Sequence, residues 1–435
     1  MRGRTSLAVG SLAVLWVLSL MISPASADLA PGTVIDKTNT ELVEGMVPDA
    51  VLNWVKKGDG SMTMGELPYD PAEYLPPPAK KYMESNKGKY DVGPDGLIVD
   101  LKTGKLPEFI DGMPFPEIDM EDPKAAVKIM YNKHYYTYAV GNIEVPFQVK
   151  WVGRKTGFER EIIMDYWTYI LDGYPPAREE SNPENVEMHS LIIALAPFDV
   201  KGTNILLWRY RNDRLDSTFA YVPAIRRVRR MSPANRSDSF LGSDFCVDDA
   251  WGYGGKINTF NWKLLEKKDQ LVPFYPGPPV KLVKNDAGEW ASVSEGRNIP
   301  YGFETEGWQG APWWPTSGII YVKRPTYILE CAAKDKYYNY GPQQMWVDAD
   351  LYTPTYKVIS DRSATYWKVE WQTLGVLETA DKSYQTSGLA NMMAFDDRSQ
   401  HACVLYLFTP ENSTRYLAKL DRNDFSLGGF QKLCK

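Results

Sequence analysis

Alternation of apolar and polar residues is the main signal in the second half of the chain. In residues 144–151, Val145, Phe147, Val149 and Trp151 alternate with proline or polar positions. This period of two is typical of a β-strand with one buried face. Comparable segments follow at residues 158–171, 189–196, 204–210, 218–230, 258–265, 319–322, 326–332, 344–347, 356–360, 364–374 and 403–408. Short strands without helices between them predict an antiparallel sheet, sandwich or barrel.

One helical pattern precedes these strands. Asp122 can act as an N-cap, and the proline after it suits the first helical position. The spacing of apolar residues predicts a helix over residues 123–138, with Ile129, Met130 and His134 directed toward the core.

The chain before this helix has no long periodic segment. Short helices are predicted over residues 39–46 and 48–57, and several prolines that cannot continue a helix come next. These prolines are Pro68, Pro71, Pro76, Pro77 and Pro78. We therefore predict an irregular N-terminal segment over residues 28–121 that wraps over a β domain. That domain, with its preceding helix, occupies residues 122–435.

The first 27 residues have the composition of a secretory signal peptide. Arg2 and Arg4 precede an apolar run over residues 7–22, and small residues occupy positions 25 and 27. The run is shorter than the roughly 20 residues that a membrane-spanning helix needs. We predict export to the periplasm with cleavage after Ala27; an uncleaved anchor is the alternative, and association with the outer membrane stays open.

Charge and aromatic content narrow the choice of partner. The net charge is −6, and removal of residues 1–27, which contain two arginines and no acids, makes it −8. An acidic chain is a poor partner for nucleic acid, whose phosphates need clustered positive charge. The chain has 14 Trp and 27 Tyr, which suit either strands or a pocket for lipids or sugars.

Four cysteines are spread over the last 190 or so residues: Cys246, Cys331, Cys403 and Cys434. In an exported protein, an even number of cysteines predicts two disulfides, for which three pairings exist. Proximity in sequence alone favours Cys403 with Cys434, which leaves Cys246 with Cys331. No CxxC spacing indicates a zinc or thioredoxin-like site.

Motifs for catalysis are missing from the sequence. The three histidines, His134, His189 and His401, are isolated from one another, and no HExxH spacing indicates a metal. The sequence contains no GxSxG nucleophile elbow, no P-loop and no dinucleotide fingerprint. The close pairs of aspartates do not have the spacing of a calcium-binding loop. We therefore predict no enzyme, no cofactor and no metal.

One dense cluster of charge lies in the predicted strand 218–230 and the segment after it. Arginine pairs well with carboxylates, so a salt-bridge cluster between this strand and the acids that follow is one interpretation. The alternative is a mouth that recognises an anionic head group or docks a partner. The candidate ligand- or partner-binding residues are Arg226, Arg227, Arg229, Arg230, Asp244, Phe245, Asp248 and Asp249.

The same region resembles a known superfamily. The matching motifs are the KGT turn at 201–203, the YVPA-x-RRVRR run at 221–230 and the SFLGSDF segment at 239–245. Their order is similar to that in the outer-membrane lipoprotein-sorting, LolA/LolB-like superfamily. Further motifs at 112–116, 246–253, 344–348 and 356–362 resemble its long uncharacterised branch, a domain-of-unknown-function family of exported proteobacterial proteins.

This resemblance implies a mainly β (α+β) fold: a large curved antiparallel sheet, or half-open β-barrel, with helices and loops over its concave face. It also implies a periplasmic carrier for a lipid or other hydrophobic compound, with an RND-type exporter or outer-membrane protein as its partner. Two alternatives stay open. One is an envelope hydrolase acting on lipid or glycan, and the other is a polysaccharide-binding protein that presents exposed Trp308, Trp313 and Trp314.

Overall fold

The structure, a computed structural model, describes residues 29–293, 299–407 and 413–434. The predicted signal peptide at residues 1–27 lies outside these described residues. Among the described helices, none has the length and apolar character that crossing a membrane requires.

Helices occupy only a small part of the described chain. They are α1 (Asp49–Lys57), α2 (Pro77–Asn86), α3 (Ala125–Ala139) and α4 (Leu427–Leu433). α1 and α3 agree with the helices predicted over 48–57 and 123–138. Helix α2 corrects the prediction that the proline-rich stretch excludes a helix. Its prolines lie in the first turn, where the backbone N–H has no helical partner and its loss costs little.

Strands form most of the molecule. They are β1 (Val34–Ile35), β2 (Met62–Thr63), β3 (Tyr90–Val92), β4 (Ile98–Asp100), β5 (Ile143–Gly153), β6 (Gly157–Ile170), β7 (Val186–Ala196), β8 (Asn204–Tyr210), β9 (Ser217–Val222), β10 (Arg227–Met231), β11 (Phe260–Phe274), β12 (Val280–Lys284), β13 (Trp290–Val293), β14 (Ile320–Ala333), β15 (Gln343–Asp348), β16 (Pro354–Ser360), β17 (Tyr366–Thr379), β18 (Gln385–Asp396), β19 (His401–Tyr406) and β20 (Arg415–Tyr416). The segment predicted as one strand over 218–230 is two strands, and those predicted over 319–322 and 326–332 are one.

Most of these strands belong to one antiparallel sheet. Its neighbours follow the order β10-β9-β8-β7-β6-β5-β19-β18-β17-β16-β15-β14-β11. Three short strands complete a closed ring: β12 pairs with the end of β17, β13 with β12, and β20 with both β13 and β5. The ring therefore contains seven strands, β5, β20, β13, β12, β17, β18 and β19. The predicted mainly β fold with a large antiparallel sheet is confirmed.

One face of the sheet, here called the inner face, is covered by a helix and a loop segment. Cross-strand pairing places Val145, Tyr166, Ile192 and Ile205 on this face. Helix α3 packs here, and so does the segment 232–257, called the plug segment below, since their apolar residues share one core with strands β14 and β15. Helices and loops thus cover this face, as predicted.

The opposite, outer face is covered by the beginning of the chain. Trp54 of α1 and Trp313 contact the ring of Phe395, with centroids 5.0 and 4.2 Å away. Gly60 passes so close to Trp314 that a Cβ atom would lie 2.0 Å from the indole. Trp313 is 0% exposed and Trp314 1% exposed. The suggestion that these two tryptophans form an exposed platform for sugars is therefore wrong.

The four cysteines are free and buried. Cys403 belongs to the core between the ring strands, whereas Cys434 packs with α4 against the outer face. Cys246 and Cys331 lie in the core beneath α3, and no bond joins them. The predicted disulfides are therefore not formed in this structure.

Candidate functional site

Three cavities lie between the inner face of the sheet, helix α3 and the plug segment. We call them the helix cavity, the apolar cavity and the polar cavity, with volumes of about 70, 90 and 60 Å³. Leu389 and Leu407 line both the helix and the apolar cavity, whereas Tyr166 and Ile192 line both the apolar and the polar cavity. The three spaces are therefore neighbouring parts of one region.

Trp251 of the plug segment lies at the junction of these spaces, because it lines all three. Its backbone is left-handed, with φ 55°, which is unusual for a large side chain. The indole packs against Tyr166 at a centroid distance of 5.8 Å. Each space is smaller than the roughly 300 Å³ of a typical small-ligand site, so a ligand of that size requires side chains at their junction to move.

The apolar cavity has walls made almost entirely of hydrocarbon. Phe245, a candidate site residue, contributes to it, and Asp249 is the one acid in its lining. The aliphatic and aromatic residues of this lining are Val145, Phe147, Val149, Tyr166, Ile192, Phe240, Phe245, Val247, Ala250, Trp251, Leu389, Met392, Leu405 and Leu407. Such a surface suits an alkyl chain or another apolar group.

The opposite end of the region is polar and contains a lysine. Lys133 of α3 lines both the helix cavity and the polar cavity, and its Nζ donates to the carbonyl oxygen of Tyr253 at 2.6 Å. Burial, and then the nearby charges of Arg209 and Lys357, lower the pKa of Lys133 to about 7. No carboxylate forms an ion pair with Lys133 within the described residues.

His134 adds a second polar atom at the same place. It is buried and lines the polar cavity, and its Nε2 has no hydrogen-bond partner in the described part of the chain. Burial, followed by the charge of Lys133, lowers the pKa of His134 well below its ordinary value. The ring is therefore neutral, and its Nε2 can donate or accept one hydrogen bond with a group in the cavity, depending on the tautomer.

Two buried ionic groups surround this polar end. In the first, the Arg209 Nη2 lies 2.7 Å from Oδ2 of Asp216, and Arg236 bridges Asp216 and Asp248. Burial raises the pKa of Asp216, but Arg209 and Arg236 outweigh it and lower the value to about 2. Asp248 therefore has Arg236 as its partner, and none of the four predicted arginines contacts it.

The second ionic group joins the plug segment to the sheet. Lys357 Nζ lies 2.6 Å from Asp249 and 2.8 Å from Glu370. Burial disfavours the charged form of Lys357, Asp249 and Glu370 alike. The charge of Lys357 nevertheless lowers the pKa of Asp249 to about 2, whereas burial and the charge of Asp249 raise the pKa of Glu370 well above its ordinary value. Lys357 and Asp249 thus carry the charges, and Glu370 is neutral.

The predicted arginines lie apart from the cavities. Arg226 has a left-handed backbone, with φ 51°, at the turn between β9 and β10, and Arg227, Arg229 and Arg230 are exposed on β10. Arg230 donates to the hydroxyl of Ser217 at 3.2 Å, and the other three form no ion pair within the described residues. The structure therefore separates the eight candidate residues into an exposed arginine edge and interior groups of the plug segment.

Asp244, the remaining candidate, joins the plug segment to strand β19. Its Oδ2 lies 2.7 Å from Nδ1 of His401, and its backbone N–H donates to Cys403 Sγ at 3.3 Å. The other ring nitrogen of His401 lies 3.3 Å from Glu159. We call this contact between Asp244 and His401 the plug latch.

The plug latch also contains the one group of potential metal ligands found among the described residues. The ligand atoms of Asp244, His401 and Cys403 lie within 4.8 Å of one another. Burial, followed by the charge of Asp244, raises the pKa of Cys403 well above its ordinary value, so the thiol stays protonated. His401 faces two carboxylates rather than the thiol, so the group does not have the order of a cysteine–histidine–aspartate hydrolase.

Sequence reasoning missed Lys133 and Trp251. A signal for Lys133 was present, because it follows Ile129 by four residues and so occupies the apolar stripe that the helical spacing predicts. Trp251 lies in a glycine-rich turn, and no local pattern shows that its ring faces a cavity.

The fold and site thus define a class: a mainly β protein with apolar cavities between a large antiparallel sheet, a helix and a loop segment. Residues 34–428 match the family model described as "Protein of unknown function (DUF1329)", and the chain belongs to this family. The predicted membership of a domain-of-unknown-function family is confirmed. No curated protein matches the chain.

Three solved structures are similar to parts of this chain. An outer membrane lipoprotein-sorting protein domain from Vibrio parahaemolyticus has a TM-score of 0.46 and 17% identity, covering 72% of this chain and 100% of that one. A DUF1329 family protein from Desulfovibrio piger has a TM-score of 0.46 and 18% identity, covering 71% and 98%. A LolA superfamily protein from Nitrosomonas europaea has a TM-score of 0.37 and 13% identity, covering 66% and 91%.

Proposed function

We propose that this protein is a carrier that binds a lipid or other hydrophobic compound in the bacterial envelope. The observation that carries the proposal is the set of apolar cavities between the inner face, α3 and the plug segment. Filling such a space with hydrocarbon is favourable by about 0.8 kcal/mol for each CH₂ group removed from water. Binding, not chemistry, is what these walls support.

Uptake of cargo requires the plug segment to change shape. The spaces are small and Trp251 lies at their junction. A chain that extends from the helix cavity to the apolar cavity therefore displaces the indole. Trp251 is followed by Gly252, with φ 76°, and the chain here lies in short 3₁₀ turns rather than in the sheet. Movement of this segment leaves the strands of the inner face paired.

We further propose that the protein is exported to the periplasm and docks to a membrane protein of the envelope. The signal-like residues 1–27 support action in the periplasm, beside the outer membrane or between the two membranes. The exposed arginine edge, residues 226–230, supports docking to an acidic surface of an envelope transporter such as an RND-type exporter. This docking role is a proposal for Arg226, Arg227, Arg229 and Arg230.

Binding of a neutral fluorescent lipid tests the carrier proposal. The delipidated protein should bind the methyl ester of cis-parinaric acid saturably, at one site. Trp251→Ala should increase the affinity about tenfold, because the small cavities become one and the indole need not move. Titration of the probe's fluorescence measures both values.

Trp290→Ala is the matched control, because Trp290 is a half-buried tryptophan that lines none of the three cavities. It should bind the ester like the wild type. Absence of saturable binding in both the wild type and Trp251→Ala would overturn the carrier proposal.

A further inference from the structure

Lys133 is a polar feature of the cavity region that the binding of a purely apolar compound leaves without a role. It is 5% exposed, and only the carbonyl of Tyr253 accepts a hydrogen bond from it in the described part of the chain. An ammonium group has three donors, so two of them lack an acceptor. A buried cation without a counter-charge is costly, and a structural role would not require it.

A second buried lysine shows how the same fold satisfies an ammonium group for structural purposes. Lys256 donates to three carbonyl oxygens, those of Tyr210, Asn212 and Arg214. These acceptors close the turn between β8 and β9 around its Nζ. Lys133 has no comparable set of acceptors, although it lies equally deep and lines two cavities.

The buried carboxylates around this region have other partners: Asp216 and Asp249 pair with cations, and Glu187 accepts a hydrogen bond from Tyr138 of α3. Arg209, which repels Lys133 from strand β8, is paired with Asp216, and Asp216 is shared with Arg236. Lys357, which repels it from β16, is paired with Asp249. On its own helix its neighbour is the neutral His134. The charge on Lys133 therefore stays uncompensated until a ligand supplies a negative group.

We propose that Lys133 binds the carboxylate head of a single-chain amphiphile, so that the cargo is a long-chain fatty acid. This rests on the proposed carrier function. One ammonium group matches one negative charge, and the unpartnered Nε2 of His134 beside it can donate a second hydrogen bond to a carboxylate oxygen. The alkyl chain extends past Trp251 into the apolar cavity, which begins where the helix cavity ends.

The affinity for a fatty acid should decrease as the pH rises, because it depends on the protonation of Lys133. The ammonium form of Lys133 binds the acid, and in the empty cavity its pKa is lowered to about 7. A bound carboxylate raises that pKa, so binding takes up a proton above pH 7. The affinity for the acid should therefore fall by up to about tenfold for each pH unit above 7, whereas the affinity for an uncharged ester should not.

The experiment compares cis-parinaric acid with its methyl ester, which has the same chain and no charge. At pH 6 the wild type should bind the acid about tenfold or more tightly than the ester. Lys133→Met should bind the acid and the ester with equal affinity. It should also be at least as resistant to urea as the wild type, because an unpaired buried charge is removed. Lys263→Met, on the exposed part of β11, removes one charge elsewhere and should behave like the wild type.

Each outcome separates the two proposals. Equal affinity for acid and ester in the wild type, or an acid preference that survives in Lys133→Met, would overturn the role of Lys133 and leave the carrier function standing. Failure to bind either probe would overturn the carrier function itself. If Lys133→Met does not fold, the wild type still decides, because a ratio of affinities that is constant from pH 6 to pH 9 contradicts the proposal.

Discussion

Lys357 and Lys133 show two ways in which this inner face accommodates a buried lysine. Lys357 lies between Asp249 and Glu370 and fastens the plug segment to the sheet. Lys133 projects from α3 among cations and faces cavities. The first arrangement is complete without a ligand, and the second is not. Residues of one type therefore have different roles, which their sequence neighbourhoods do not reveal.

The plug latch is a second residue-scale device, and its pH dependence has a definite sign. The hydrogen bond with Asp244, against the opposing effect of burial, raises the pKa of His401 above its ordinary value of 6.5. Its folded pKa thus exceeds its unfolded pKa. The stabilisation is present in full below about pH 6.5 and is lost as the pH rises through the folded value.

We therefore expect His401→Gln to destabilise the protein by about 1 kcal/mol near pH 5.5 and by almost nothing near pH 8.5. Urea unfolding of the variant and the wild type at both pH values measures this. The control is His189→Gln, because burial lowers the pKa of His189 to about 4 and its pH trend has the opposite sign. An equal loss of stability at both pH values would contradict the latch.

At the level of elements, the spacing of apolar residues predicted those helices and strands whose pattern is visible within a short stretch of sequence. Strand β5 alternates regularly between buried and half-buried residues, and both it and helix α3 appear near the predicted positions. Strand β18 was missed because it pairs with β17 and β19 and is buried on both faces, so polar and apolar residues do not alternate. The predicted strand 218–230 is interrupted because Pro223 begins a turn that ends at Arg226 in a left-handed conformation.

The arginine edge is the element whose role depends most on context. β10 pairs only with β9 in the described sheet, and its charges also discourage edge-to-edge association with another copy. Replacing these arginines by glutamate distinguishes the protective role from docking. Either charge protects an edge strand, whereas only a positive charge attracts an acidic surface. Arg227 and Arg229 lie on the same side of the strand and so present their charges together.

Arg227→Glu combined with Arg229→Glu should slow the transfer of bound parinaric ester to native membrane vesicles by about tenfold at low salt. The affinity for the ester should stay unchanged, since these residues line no described cavity. Stopped-flow fluorescence measures the transfer, and Lys263→Glu with Lys267→Glu on β11 is the control. Equal transfer rates, or no dependence of the wild-type rate on salt, would remove the docking role.

At the level of the whole molecule, local sequence patterns did not predict how the N-terminal segment wraps around the sheet or that seven strands form a closed ring. Residues of the N-terminal segment pack against both faces of the sheet, from Ile35 on the outer face to Phe115 on the inner. Which face receives each stretch depends on contacts across more than 200 residues of sequence, as between Trp54 and Phe395. The mainly β fold was predictable, and the division at residues 121 and 122 stays a prediction.

The site was predictable only in part for the same reason. Phe245 and Asp249 do line a cavity, yet the four arginines lie elsewhere and Lys133 was overlooked. Cavities arise where the sheet, α3 and the plug segment meet, and each contributes residues that are distant in sequence. The resemblance indicated an apolar concave face, and only the assembled fold shows which side chains line it.

Native mass spectrometry of the protein purified from its own envelope tests the carrier function most directly. We expect a stoichiometric adduct that is lost on denaturation and whose organic extract is a long-chain hydrophobic compound. A mass equal to that of the polypeptide alone, together with no saturable uptake of cis-parinaric acid or its methyl ester by the same sample, would contradict it.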